Sequence, residues 1–210
     1  WTEREKALQK VIELNPSSVD ARIEYSDFLS RLGRHDESIA EIMIAQHLDP
    51  LSEDLNIFAA RSFYFARRYD EAIEAYLIEL EFEPDNINLK WWLACTYVQK
   101  ELYDKAIDEF LSRKVKSPET NWALAYTYAI AGDKNKANDI LNFLLEKSKS
   151  TYIPPKYIAQ VYIALGNKDK AFEWLDKSDF ILSIKVDPWF DPIRNDPRFH
   201  TLLKEMNLPE

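Results

Sequence analysis

Glycine, cysteine and positive charge are all scarce in this chain. Three glycines, at 33, 132 and 166, occur among 210 residues. Phosphate loops of the GxGxxG or GxxxxGK type need glycines clustered within a few positions, so nucleotide binding by those routes is excluded. The same scarcity leaves little material for tight β-hairpins, and the composition reads as all-α. A single cysteine, Cys95, rules out an intrachain disulfide and any multi-cysteine metal site. Lys and Arg number 27 against 36 Asp and Glu, a net charge of −9. Affinity for phosphate backbones comes mainly from concentrated Lys and Arg, so nucleic acid is not an expected partner. The basic pairs Arg67-Arg68 and Lys114 with Lys116 have acidic neighbours and read as solvated helix ends. Long apolar runs are missing too. The longest uncharged stretch, 120–132, is far short of the roughly 20 residues that span a bilayer. The N-terminus is charged from residue 3 and has no apolar signal core. Membrane insertion is therefore not expected, and a reducing, cytoplasmic compartment suits the lone thiol.

What the sequence does have is a period. Pro16, Pro50, Pro84 and Pro118 stand 34 residues apart at each step. Gly132 and Gly166 repeat the interval, as do Ala72 with Ala106 and Ala137 with Ala171. Between Ala106 and Ala137 the step is 31, so one unit is three residues shorter. Within each unit the signals describe a helix, a short turn and a second helix. In the unit 19–52, Ser17 or Ser18 is placed to cap the first helix and Gly33 to end it in the left-handed conformation. Asp36 is then expected to cap a second helix that stops before Pro50. Small residues fall where paired helices would cross: Ser26, Ala60, Ala94, Ala125 and Ala159 on first helices, with Ser38, Ala72, Ala106, Ala137 and Ala171 on second helices.

This pattern resembles the tetratricopeptide repeat, with small residues at positions 8 and 20, aromatics at 11 and 24, and proline at 32. In the 53–86 unit those slots hold Ala60, Phe63, Ala72, Tyr76 and Pro84; in the next they hold Ala94, Tyr97, Ala106, Phe110 and Pro118. The resemblance implies an all-α, right-handed superhelical solenoid of antiparallel helix pairs. It would comprise half a repeat at 2–16 and five repeats over 19–180, closed by a C-terminal cap at 181–210. Two departures stand out. The family's tryptophan at position 4 is replaced by Arg22, Asn56, Lys90, Asn121 and Pro155. Position 27, usually small, holds Glu79 and Arg113 in neighbouring units, placed either to pair with each other or to reach water separately.

The tail breaks the period. Asp191-Pro192 and Asp196-Pro197 each read as an N-cap followed by proline at the first helical position. Trp189, Phe190, Phe199, Leu202 and Leu203 are suited to cover the apolar face of the last repeat. The run VDPWFDPIRNDPRFHTLL also resembles the C-terminal end of repeat regions in bacterial signalling proteins. That likeness implies a module attached to an N-terminal domain in cis, and the start in mid-repeat at Trp1 agrees with it.

No catalytic constellation is visible. His35, His47 and His200 form no HExxH motif, and no histidine is placed beside Cys95 to activate it. His35, Asp36, Glu37 and Glu41 read as a solvated turn and not as a metal cluster, so neither cofactor nor metal is expected. The family likeness implies a surface instead, with first-helix positions 5, 9, 12 and 13 facing a concave groove. Carried over, the groove residues are Ile57, Arg61, Tyr64, Phe65, Trp91, Cys95, Gln99, Trp122, Tyr126 and Ile130. Trp91 and Trp122 admit two placements, in the groove or between helices in place of the missing position-4 tryptophans. The Lys and Asn of the family's carboxylate clamp are absent, so the groove would favour a segment with apolar side chains, and Arg61 would meet an acid in it. The expected function is a protein- or peptide-binding scaffold and not an enzyme. Homo-oligomerisation is the alternative, and an RNA-binding helical repeat a further one that the period and the acidity oppose.

Overall fold

The structure is a computed structural model that describes residues 1–50, 52–112, 118–178 and 183–206. Every regular element among them is helical. The chain divides into two compact units, one over Trp1–Thr96 and one within Tyr97–Leu208. The division falls inside a helix, at a place the period does not mark.

The first unit contains α1 (Thr2–Leu14), α2 (Val19–Leu32), α3 (His35–Leu48), α4 (Glu53–Phe65), α5 (Tyr69–Phe82) and most of α6 (Ile87–Gln99). Helices α2 with α3 and α4 with α5 form the expected hairpins. Ser18 caps α2 by accepting the Ala21 amide at 3.3 Å. Asp36 does not cap α3, which begins two residues earlier than expected, at His35, with Arg34 as its N-cap. The Arg34 side chain instead forks onto Glu37 at 2.7 and 2.6 Å, and Arg68 reaches Glu71 at 2.8 Å in the next repeat. Their acids sit in the first helical turn, where the helix dipole favours negative charge.

Repeat-to-repeat packing in this unit is carried by Ile42, Ala45, Leu55 and Ala59, with Val19, Ile23, Phe58 and Phe63 against them. Arg22, at position 4, holds the Pro16 carbonyl at 3.0 and 3.2 Å and Glu41 at 2.6 Å. At the same position one repeat later, Asn56 donates to buried Glu79 at 2.6 Å and accepts from Gln46 at 2.7 Å. Polar ties thus stand where the family places tryptophan. Glu79 neither snorkels to water nor lacks a partner; Arg113, like Lys114 and Lys116, lies outside the described residues. Beneath these, the hydroxyls of Ser26, Ser38 and Ser62 meet in the interior at 3.0–3.4 Å, and Ser26 also donates to the Ser38 carbonyl at 2.9 Å.

The second unit contains α7 (Tyr103–Ser112), α8 (Pro118–Ile130), α9 (Lys134–Ser148), α10 (Pro155–Ala164), α11 (Lys168–Leu175), a 3-10 helix (Pro188–Ile193) and α12 (Pro197–Glu205). Asp133 and Asn167 cap α9 and α11, each accepting an amide at 3.1 Å. Asp196 caps α12 as expected, but the cap of the 3-10 helix is Asp187, not Asp191. Pro192 lies inside that helix, and Asp191 receives the Arg194 guanidinium at 2.6 Å. All ten crossing-point residues, from Ser26 to Ala171, are buried, which leaves room only for small side chains.

The turn after each first helix has one residue in the left-handed region: Gly33, Arg67, Glu101, Gly132 and Gly166. The following amide then bonds back across the helix end, as in Arg34 to Leu29, Arg68 to Phe63 and Leu102 to Tyr97 at 2.9–3.0 Å. An added Cβ at Gly132 or Gly166 would meet nothing within 4 Å. Gly132→Ala and Gly166→Ala are therefore expected to cost about 1 kcal/mol each through backbone conformation alone. Urea denaturation checks this, and unchanged midpoints would show that the turns relax freely.

Candidate functional site

The face made by first helices differs between the two units. In the first unit α2 and α4 enclose a cleft with Ser26 and Ser62 at its floor. Ile23, Asp27 and Ser30 line it from α2, and Phe58, Arg61 and Phe65 from α4. These residues recur at three- and four-residue steps, which a helix brings to one side. Asp27 accepts Arg31 at 2.6 and 3.2 Å and stands 3.7 Å from Arg61. The Arg61 guanidinium lies 5.2 Å from the Trp92 ring centre and 5.8 Å from that of Phe58, within the range of cation–π attraction. The acid that Arg61 meets is thus one of the chain's own. Two polar atoms of the cleft, Ser30 Oγ and Arg61 Nε, are buried without a hydrogen-bond partner among the described residues.

Of the expected groove residues here, Ile57, Arg61, Phe65 and Trp91 are half-buried and present a surface. Tyr64 and Cys95 do not: each is 1% exposed. The Tyr64 ring is enclosed by Phe65, Tyr69 and Trp92 at 5.3–6.0 Å. Burial pushes the neighbouring Tyr76 phenol well above its ordinary value. Asp27, which lines the cleft, and Trp92, which lies under the Arg61 guanidinium, were not among the expected residues. Trp92 sits beside Trp91 in sequence, and only the packing of α4 distinguishes which of the two Arg61 covers.

In the second unit the first-helix aromatics are covered. Trp122 and Tyr126 are 4% and 5% exposed. Trp122 stacks on Tyr157 at 5.2 Å and 11°, and Trp189 of the 3-10 helix meets it edge-on at 4.8 Å. The same Trp189 stands perpendicular to Tyr126 at 4.7 Å. Burial, then the negative charges of Asp191 and Asp187, raise the Tyr126 phenol above its ordinary range. Trp122 therefore takes the interior placement of the two that sequence allowed. Gln99 and Ile130 remain half-buried. Within the tail Arg194 donates to the carbonyls of Lys185 and Asp187, and Arg198 fastens the tail to α11 by reaching Asp169 at 2.8 Å. Phe190 and Phe199 are buried as well, as a hydrophobic cap requires.

Among the described residues no group of three or more His, Cys, Asp or Glu is placed to hold a metal ion. His35 opens α3, and burial, followed by the charge of Arg67, holds its imidazole below the usual value. No described helix is long and apolar enough to cross a membrane.

Residues 59–120 match the family model of the tetratricopeptide repeat. No curated protein matches the sequence. Solved structures do match by shape. A tetratricopeptide repeat protein from Parabacteroides merdae superposes with a TM-score of 0.63 at 16% identity, covering 97% of this chain and 91% of that one. TTC0263, a thermophilic protein of the same repeat class from Thermus thermophilus, gives 0.62 at 16% identity over 91% and 100% of the two chains. YrrB, described as having an unusual peptide-binding site, gives 0.50 at 19% identity over 95% and 98%. The fold of the chain is that of tetratricopeptide repeats.

Proposed function

We propose that the chain is a protein-interaction module that binds a peptide or protein segment along the α2–α4 cleft of its first unit. The observation that carries this reading is the pair of buried polar atoms, Ser30 Oγ and Arg61 Nε, left without hydrogen-bond partners among the described residues in a cleft that the half-buried Phe58 and Phe65 also line. Buried polar groups cost free energy until they are hydrogen-bonded. A ligand carbonyl or carboxylate that enters the cleft supplies an acceptor there while its apolar side chains cover Phe58 and Phe65. The repeat fold, commonly a protein-interaction scaffold, and the peptide site of YrrB support the same class of function. The site is the first-unit part of the groove expected from sequence; the covered second-unit aromatics Trp122 and Tyr126 act as structure. Cytoplasmic placement, and a role regulating a signalling domain joined in cis, complete the proposal and rest on the lone thiol and the tail motif.

The test selects peptides from a random displayed library on the whole chain and measures their Kd on variants. Arg61→Ala and Phe65→Ala are each expected to weaken binding by about 2 kcal/mol, roughly 30-fold. Selected peptides that bind both variants as tightly as the parent would place the site elsewhere.

A further inference from the structure

The outer faces of α3 and α5 carry more apolar surface than their packing uses. The buried side of α3 is Ser38, Ile39, Ile42 and Ala45, and that of α5 is Ala72, Tyr76 and Glu79. On the opposite side, three pairs of large apolar residues recur in repeat register. Met43 and Leu77 are 59% and 44% exposed, Ile44 and Ile78 are 40% and 47%, and Leu48 and Phe82 are 39% and 72%. A helix that is apolar on both sides is either buried or has a partner on its second side. The repeat itself does not demand this, because the matching positions of α9 hold Asn142, Phe143 and Lys147.

Charge identifies the kind of partner. At about 100° per residue, each set of three apolar residues spans an arc of about 140° on its helix. On α3 that arc also contains Asp36 and Glu37, and on α5 it contains Asp70, Glu71, Glu74 and Glu81. Lys and Arg are absent from both arcs; His47 is their one basic side chain. A second copy of this face would bring acid against acid, as would an anionic lipid surface. We infer that the outer face of α3 and α5 docks a basic amphipathic helix, whose apolar side chains cover the Met43–Phe82 ladder and whose Lys or Arg residues pair with Glu74 and Glu81, the acids that lie beside it on α5. This surface lies on second helices and is separate from the α2–α4 cleft.

The probe is a labelled 18-residue helical peptide of leucine and lysine in 3.6-residue register, titrated onto the whole chain by fluorescence anisotropy. The comparison peptide replaces lysine by glutamate. The leucine–lysine peptide is expected to bind, and Ile78→Ser with Phe82→Ser to weaken it at least tenfold. Glu74→Lys with Glu81→Lys should do the same, and Phe65→Ala should leave it unchanged. Circular dichroism verifies that each variant stays helical; the side chains substituted on α5 are exposed and hold no core. Equal affinity for the parent and both outer-face variants would overturn the inference, as would equal binding of the glutamate peptide. Loss on Phe65→Ala alone would assign the peptide to the cleft and also overturn it.

Discussion

Trp189→Ala is expected to destabilise the chain by about 3–5 kcal/mol, the range for truncating a buried aromatic. The residue lies in the irregular tail, where substitutions are ordinarily mild. Here its indole is 4% exposed and stands edge-on to both Trp122 and Tyr126 at 4.7–4.8 Å. Removing it uncovers two first-helix aromatics and leaves a cavity that the tail's tethers, through Arg194 and Arg198, hold open. Urea unfolding followed by tryptophan fluorescence measures the loss. His200→Ala, an exposed change on the neighbouring helix, serves as control and is expected to be neutral. A loss under about 1 kcal/mol for Trp189→Ala would mean that the tail is a loose cover and that Trp122 and Tyr126 can serve a ligand after all.

The second large effect is expected inside the first unit. Asn56→Leu should cost about 2–3 kcal/mol, because it removes the amide that donates to the Glu79 carboxylate at 2.6 Å and leaves a buried acid without that donor. The companion change Glu79→Leu should cost about 1 kcal/mol, since the half-buried Asn56 still holds Gln46. The double variant is expected to recover most of the loss, because the apolar pair leaves no buried acid and the half-buried Gln46, which loses its acceptor, reaches water. Additive single effects in this cycle would show that the hydrogen bond carries no coupling and that the two sites matter only through packing.

Both predictions concern features that repeat arithmetic reaches only in part. The period, the hairpins and all ten crossing-point residues were legible, because a small side chain is the one solution where two helix axes come close, and that constraint recurs every repeat. The hydrophobic role of Trp189, Phe190 and Phe199 could be read for a related reason: an irregular segment rich in large aromatics must bury them. Turn chemistry was less legible. Arg67 and Glu101 occupy the left-handed site that glycine holds in the other repeats, and no composition rule singles them out. Asp36 lost its expected capping role to a helix that starts two residues sooner, and Asp191 lost its own to Asp187. The candidate groove was the least legible part. Register alone places Arg61, Tyr64, Phe65, Trp122 and Tyr126 on one stripe. It cannot tell that a tail residue more than sixty positions away seals the last two, or that Tyr64 turns inward among Phe65, Tyr69 and Trp92.

The buried hydroxyls of Ser26, Ser38 and Ser62 have a consequence for how this array can change over evolutionary time. Repeats of one length invite duplication and deletion, since any unit can in principle follow any other. These three hydroxyls come from two successive repeats and satisfy one another in the dry interior. At the positions of Ser26 and Ser38 the later repeats hold alanine, and at that of Ser62 they hold Thr96, Thr127 and Val161. The last repeat, placed second, would bring Val161 where Ser62 offers its hydroxyl, and the Ser26–Ser38 pair would lose its third member. The order of the repeats is therefore written into their joints, and the array behaves as a sentence with fixed word order and not as a string of interchangeable beads.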